Sequence, residues 1–334
     1  MSRTAVRERT FDLPVRVGVS SCLLGEKVRY DGGHKRDAFL VQELGRHVEW
    51  VSVCPELEVG MGVPREAVRL LRTAGESSES SIRMVGEQSG KDWTDAMSMF
   101  SEARARSLEQ LELSGYILKS KSPSCGLERV KVYSSSGIPS KTGQGLFARA
   151  LMERFPLLPV EDEARLYDHR LRENFLERVF CHHRWLLFRK ARFSARRLLE
   201  FHLGHKYLLL AHSGRHLREL ERLVARAANK GQLPGQEAAD RYARGFFDAL
   251  KILPTVKTHV NVLQRMSRSF KDGLGSAERE ELLVAMERFR RGLVPRLVPV
   301  TLIHHHLRRL KIRCIEGQFY LSPHPKELLL KYDS

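Results

Sequence analysis

The 334-residue chain has 57 Lys and Arg against 40 Asp and Glu, a net charge of +17, with 42% hydrophobic and 29% charged residues. That length suits two domains, each with a buried core. No apolar run reaches the ~18–20 residues needed to span a bilayer, MSRTAVRERTFDLP lacks a signal peptide's apolar stretch, and an odd count of five cysteines argues against a disulfide framework. The expectation is a soluble cytoplasmic protein, not a membrane one, with residues 1–14 as a mobile lead-in.

In chain order, the first half alternates strand and helix signals. VRVGVSS (Val15–Ser21) is a short β-branched run that predicts a buried strand. Phe39, Leu40 and Leu44 space a helix over Asp37–His47, and VEWVSV (Val48–Val53) predicts a second strand. Val68–Val85 holds two short apolar pieces around TAGESSESS, either a hairpin or a loop between strands. Met97, Phe100, Ala103, Leu108 and Leu111 stripe a long helix over Asp92–Leu113. Gly115 is expected to stop it, Tyr116–Lys119 (YILK) to form the next strand, and Gly145–Phe155 a helix ending before Pro156. Strands separated by helices predict a mainly parallel sheet covered on both faces.

From about Glu161 helix-period segments dominate, over Ala164–Phe188, Ala195–His212, Arg215–Asn229, Gly235–Leu250, Lys257–Lys271, Ser276–Arg291 and Pro299–Leu310. Breaks fall at Gly214, Gly231–Pro234, Pro254 and Gly273–Gly275. The expected organisation is an α/β domain at residues 1–158 followed by an all-α helical domain at 159–334. Charge follows the same division. Residues 1–160 hold 23 Lys and Arg and 20 Asp and Glu, whereas residues 161–334 hold 34 and 20, a net of +14. A basic half implies an anionic partner, unless the charge serves solubility alone.

Cys22, Cys54 and Cys125 each follow a predicted strand. In an open parallel sheet, ligands bind outside the carboxyl ends of the strands, so three loops at that edge can bring three thiols together. The loops are rich in Gly, Pro and Ser: Gly25, Gly32 and Gly33 follow Cys22, Pro55 and Glu56 follow Cys54, and Ser122-Pro123-Ser124 precedes Cys125. Zinc takes four ligands, or three and a water. An iron–sulfur cube usually takes four cysteines, so three leave one iron open. The ordinary alternative is three small buried residues at strand ends.

Taken in order, Ser21-Cys22-Leu23-Leu24-Gly25, Arg29-Tyr30-Asp31-Gly32, Cys54-Pro55-Glu56 and Ser122-Pro123-Ser124-Cys125-Gly126 resemble the thiouracil desulfurase family over residues 14–155. The second half resembles the YbgA-like helical domain. Arg197 to His202, Gly204-His205-Lys206-Tyr207, Ala211-His212-Ser213, Lys257 to Asn261 and Ser322 to Pro325 carry that match. The resemblance implies a [4Fe-4S] cluster held by Cys22, Cys54 and Cys125, with one iron free of protein ligands. It implies a non-redox desulfidase that replaces sulfur by oxygen in a thiolated uracil, its nucleoside or its nucleotide, here 4-thiouridine 5′-monophosphate to uridine monophosphate and sulfide. Glu56 would be the general base or proton shuttle, and Ser122 or Ser124 would orient substrate or water by hydrogen bonding.

Further candidates are weighed beside these. Asp31 would hydrogen-bond the base or simply close an Asp-Gly turn. Lys119 and Lys121 would offset cluster charge, take a phosphate, or stay solvated. His202, His205, His212 and His216 fall in pairs on helix faces, where metal, a nucleotide phosphate (with His205 foremost) or plain core packing are the alternatives. His304-His305-His306 is expected at a helix start, and Cys181 and Cys314 in the core. Runs such as Arg189 to Arg192 and Arg308 to Lys311 would meet RNA phosphates, yet no RNA module is recognisable and aromatics make up only 8%. A mononucleotide phosphate is therefore favoured over RNA. The alternatives kept open are a tRNA sulfur-modifying enzyme and an iron–sulfur sensor or RNA-binding protein.

Overall fold

A computed structural model describes residues 14–72, 82–134, 137–229, 235–270, 273–312, 315 and 317–328. The chain divides into two compact units between Leu186 and Leu187. TAGESSESS, the Gly231–Pro234 break and Cys314 lie outside the described residues.

In the first unit the strands are β1 (Arg16–Ser20), β2 (Glu49–Val53), β3 (Val68–Arg72), β4 (Ile82–Gly86), β5 (Gly115–Leu118), β6 (Val130–Tyr133), β7 (Pro139–Gly143) and β8 (Val160–Asp162). The helices are α1 (Pro55–Glu58), α2 (Thr94–Glu109), α3 (Leu146–Arg154) and α4 (His169–Lys190), the last crossing the division between units. One sheet has the order β2-β1-β5-β8 with every pairing parallel. Val17, Val19, Val53, Ile117 and Leu118 are wholly buried in it, and its central strands β1 and β5 are buried along nearly their whole length rather than on alternate residues.

The two apolar pieces around TAGESSESS pair antiparallel as β3 and β4, but the second sheet that they form with β6 and β7, in the order β4-β3-β6-β7, was not foreseen. Its central pair is parallel and its outer pairs antiparallel. β7 is PSKTG, exposed at four of its five positions, so it has no hydrophobic pattern to read. α2 serves both sheets. Met97 packs with Leu70, Met84 and Val132 of the second sheet, and Leu108 with Val53, Leu118 and Phe147 on the first.

Three local expectations change. Asp37–His47 is a wider π-type turn over Phe39–Glu43 and a tight 3₁₀ turn over Leu44–Arg46, in which Gly45 lies against the Trp50 indole, which would meet a Cβ there at 2.9 Å. α2 ends at Glu109, four residues short. Gly115 stands in β5 rather than stopping a helix, and its missing side chain makes room for Val179, whose Cγ2 a Cβ would meet at 2.6 Å.

The second unit is helical, with α5 (Ala195–His212), α6 (Gly214–Ala228), α7 (Gly235–Lys251), α8 (Val256–Ser267), α9 (Ser276–Arg290) and α10 (Leu297–Leu310). Its breaks are capped. Ser213 accepts from His216 N, and Thr255 and Thr258 form a reciprocal capping box. The His304-His305-His306 run lies in the second half of α10 rather than at its start. No described helix is long and apolar enough to cross a membrane.

Candidate functional site

All four strands of the parallel sheet run the same way, so their carboxyl ends lie along one edge. Cys22 sits in the 3₁₀ turn Ser21–Leu24 directly after β1, closed by Gly25 at φ +100°. Its carbonyl accepts from Lys35 N at 2.9 Å, which folds the following loop back over it. Cys54 follows β2 and starts α1, with Pro55 at the first helical position and the Cys54 N–H donating to Glu58 Oε1 at 3.1 Å. Cys125 lies in the loop after β5. There Gly126 N donates to Ser122 O (2.8 Å), and the first turn of α3 holds the loop, with Leu146 N on Pro123 O (3.2 Å) and Phe147 N on Ser124 O (3.0 Å).

The three cysteines line one cavity of about 320 Å³ together with Glu56, Ser122, Ser124 and Lys121. Cys22 and Cys125 are buried and Cys54 partly so. Burial pushes the Cys22 thiol up to about 11, against the opposing charge of Lys119. Burial likewise raises Cys54, opposed by the Leu57 N–H, and raises Cys125 further, opposed by the Ser20 hydroxyl. Three buried thiols of this kind need a cationic group before they ionise. Among the described residues no three Cys, His, Asp or Glu side chains converge on a single-ion point. The thiols instead line one cavity, a donor set that fits a cluster with separate iron corners.

Glu56 reaches into the same cavity and its two oxygens have different neighbours. Oε1 accepts from Ser124 Oγ at 2.6 Å and, at 3.4 Å, from Ser122 Oγ. Oε2 accepts from Arg65 Nη2 (2.5 Å) and Nε (3.2 Å). The two serine hydroxyls are 2.9 Å apart, and Ser122 Oγ also accepts from Cys125 N at 3.2 Å. Both serines thus belong to one hydrogen-bonded chain ending on Glu56. Opposite them Lys119 Nζ meets Glu163, which also accepts from Ser120 N (2.6 Å) and Ser120 Oγ (2.7 Å).

Arg65, Glu163 and Ser120 were not singled out from the sequence. Arg65 lies in MGVPREAV and Glu163 directly after β8, and neither segment carries a motif. Lys119 is the one signal that pointed there.

Other candidates lie elsewhere. Asp31 closes an exposed turn, with Gly33 N donating to its Oδ1 at 3.0 Å, a bond that holds its carboxyl below the usual range. It is not among the cavity's lining residues, although Arg29, Tyr30 and Lys35 are. His205 is fully buried in the second unit, stacked between Phe201 (4.2 Å) and Phe319 (4.4 Å), with Nδ1 against Phe201 O. His202 is buried against Tyr242 OH, His212 against Ile252 O, and His216 meets Ser213 Oγ. Cys181 is fully buried, 3.1 Å from Arg184 Nη2. In the basic runs Arg189 pairs with Asp240 and Arg309 with Glu278.

Comparison with known proteins follows the same division of the chain. The 2-thiouracil desulfurase family matches residues 17–163, and a family described only as a protein of unknown function, DUF1722, matches residues 206–325. The uncharacterized protein YbbK of Bacillus subtilis is 33% identical over 138 residues, 40% of this chain and 88% of YbbK. The uncharacterized protein YbgA of Escherichia coli is 26% identical over 163 residues, 49% of this chain and 95% of YbgA. Among solved structures the [4Fe-4S]-dependent thiouracil desulfidase TudS is 28% identical, covering 47% of this chain and 97% of its own, with a TM-score of 0.37.

Proposed function

The chain belongs to the 2-thiouracil desulfurase family, and from that premise we propose that it is an iron–sulfur-dependent desulfidase acting on 4-thiouridine 5′-monophosphate. The observation that carries this reading is the single cavity shared by three strand-end thiols, one carboxylate and two serine hydroxyls. In this reading residues 1–158 form the catalytic module and 159–334 the accessory helical one. Cys22, Cys54 and Cys125 would each hold one iron of a [4Fe-4S] cluster. Bound there, the cluster supplies a thiophilic Lewis acid with one iron free of protein ligands.

The reaction exchanges C=S and water for C=O and hydrogen sulfide. The water oxygen goes to carbon, both protons leave with sulfur, and no electron is gained or lost. Glu56 Oε1 takes a proton from the attacking water and returns it to the departing sulfur. The Ser122 and Ser124 hydroxyls, 2.9 Å apart, orient the water and the pyrimidine beside that oxygen. Arg29, Lys35 and Lys121 line the cavity and supply cations for the 5′-phosphate.

The test is anaerobic. The protein is reconstituted with iron and sulfide, and the near-ultraviolet thio-base band of 4-thiouridine monophosphate is followed. Visible cluster absorption with loss of that band and gain of uridine monophosphate supports the reading, whereas a loaded cluster without turnover overturns the substrate assignment. Glu56→Ala keeps the visible absorption and loses about 10²–10⁴-fold in turnover; full activity in that variant removes Glu56 from the mechanism. The net +14 of residues 161–334 favours one second reading, a thiolated base carried in RNA, which predicts salt-dependent tRNA binding and turnover of the thiolated RNA.

A further inference from the structure

We propose that Arg65 is a positioning residue for this reaction, acting by holding the Glu56 carboxylate in a fixed orientation; the inference rests on the desulfidase reading above. Arg65 lies on the loop after α1, and its side chain is only 6% exposed, beside a Glu56 side chain that is 15% exposed. Its guanidinium makes a fork. Nη2 and Nε both donate to Glu56 Oε2, at 2.5 and 3.2 Å. The remaining nitrogen, Nη1, donates to Gly62 O at 2.8 Å and Val28 O at 3.1 Å.

The fork is itself anchored from two sides. Arg65 N donates to Tyr30 O at 2.9 Å, in the loop that follows Cys22. Val28 O, which takes Nη1, also lies 3.8 Å from Cys54 Sγ. One side chain therefore joins the loop after Cys22, the turn after Cys54 and the carboxylate. By occupying Oε2, the guanidinium leaves Oε1 as the oxygen facing Ser124 and Ser122. A carboxylate on a flexible stem would otherwise rotate about its last bond and present either oxygen to the serines, and a misplacement of about 1 Å in a reacting group costs on the order of 10²-fold in rate. A planar guanidinium holds the carboxylate oxygen and two carbonyls from a rigid fork spread over three nitrogens, whereas an ammonium presents its three N–H groups from one freely rotating point.

The experiment compares wild type, Arg65→Met and Arg65→Lys, each reconstituted with iron and sulfide under argon. Iron per chain, the visible spectrum, kcat and KM for 4-thiouridine monophosphate are measured. Expected are wild-type iron content and spectrum in both variants, KM within about 3-fold, and kcat lowered about 100-fold in Arg65→Met and by less in Arg65→Lys. A merely structural role would lower iron content and leave the turnover per loaded cluster intact. Wild-type kcat in either loaded variant overturns the proposal, as does loss of the cluster in both. Where Arg65→Met alone fails to load, the kcat of loaded Arg65→Lys decides. A loaded wild type with no turnover on the thio-nucleotide overturns the desulfidase reading instead, an outcome visible before any variant is compared.

Discussion

At the scale of single residues, the cavity pairs groups that burial treats differently. Its thiols are driven toward the neutral form by desolvation, while its carboxylate is given a guanidinium and two hydroxyls. In the proposed reading, removing a thiol takes away one corner's ligand, and among the described residues no other cysteine lines the cavity. Cys22→Ser, Cys54→Ser and Cys125→Ser are each expected to bind markedly less iron after reconstitution, measured as iron and acid-labile sulfide per chain, with the fold intact by circular dichroism. Wild-type iron in any one of them would remove that residue from the ligand set. Cysteines and Glu56 were legible as candidates because their residue types carry the chemistry in themselves. Arg65 was not, since one arginine among 57 Lys and Arg has no local mark of the carboxylate it meets nine residues back. Ser122 and Ser124 could not be told apart in the sequence, and the structure puts both hydroxyls in one chain.

At the scale of elements, the start of α3 decides where the third cysteine loop can lie. Gly145 has φ −66° and ψ 145°, which any residue adopts, so its requirement is space rather than conformation. A Cβ there would meet Ser124 O at 2.3 Å and Gly126 N at 2.8 Å, both backbone atoms that cannot swing away. Gly145→Ala is expected to displace the Cys125 loop and cost about 1–3 kcal/mol, as overpacking does. The checks are a lower urea midpoint and less iron bound on reconstitution; an unchanged value of both would show that the loop tolerates the shift. Strands β1, β2 and β5 and helices α5 and α7 were readable because their apolar runs or periodicities are strong. β6, β7 and β8 were not, for PSKTG and VED hold no apolar run and VKVY alternates over only four residues, so they are strands by virtue of their neighbours.

At the scale of the whole molecule, both compact units bury a histidine in a neutral state. Burial, reinforced by the charge of His183, holds His182 in the first unit down to about 3. Burial holds His202 in the second down to about 4, with Glu221 opposing. The unfolded chain takes up these protons near the ordinary imidazole value of 6.5, and the folded chain does not until far lower. Between those limits the unfolded state binds more protons, so stability falls as pH falls, from about 6.5 to about 4 for His202, by up to about 1.4 kcal/mol per pH unit for each such group. Urea midpoints at pH 7 and pH 5 should show this loss, and His202→Gln should lose less. Equal losses in both proteins would remove His202 as a contributor. His202, His205, His212 and His216 read in the sequence as metal, phosphate or core groups, and His202, His205 and His212 prove to be buried against Tyr242, Phe201 and Ile252. Sequence shows that a histidine is present and on which helix face, but not what packs over that face.

The amino-acid sequence by itself determined the α/β-then-helical order, the strand-end setting of three cysteines and the presence of Glu56 beside one of them. These follow from short-range regularities: apolar period, turn residues and the position of a residue relative to the strand before it. Only the tertiary structure decided that the three thiols line one cavity, that Glu56 presents one oxygen to two serines and the other to Arg65, that Lys119 meets Glu163, and that Asp31 and His205 stand outside this arrangement. Those outcomes depend on residues far apart along the chain, such as Ser124 and Glu56, 68 positions apart. Such pairings are set by how sheets and helices pack rather than by any pattern along the chain.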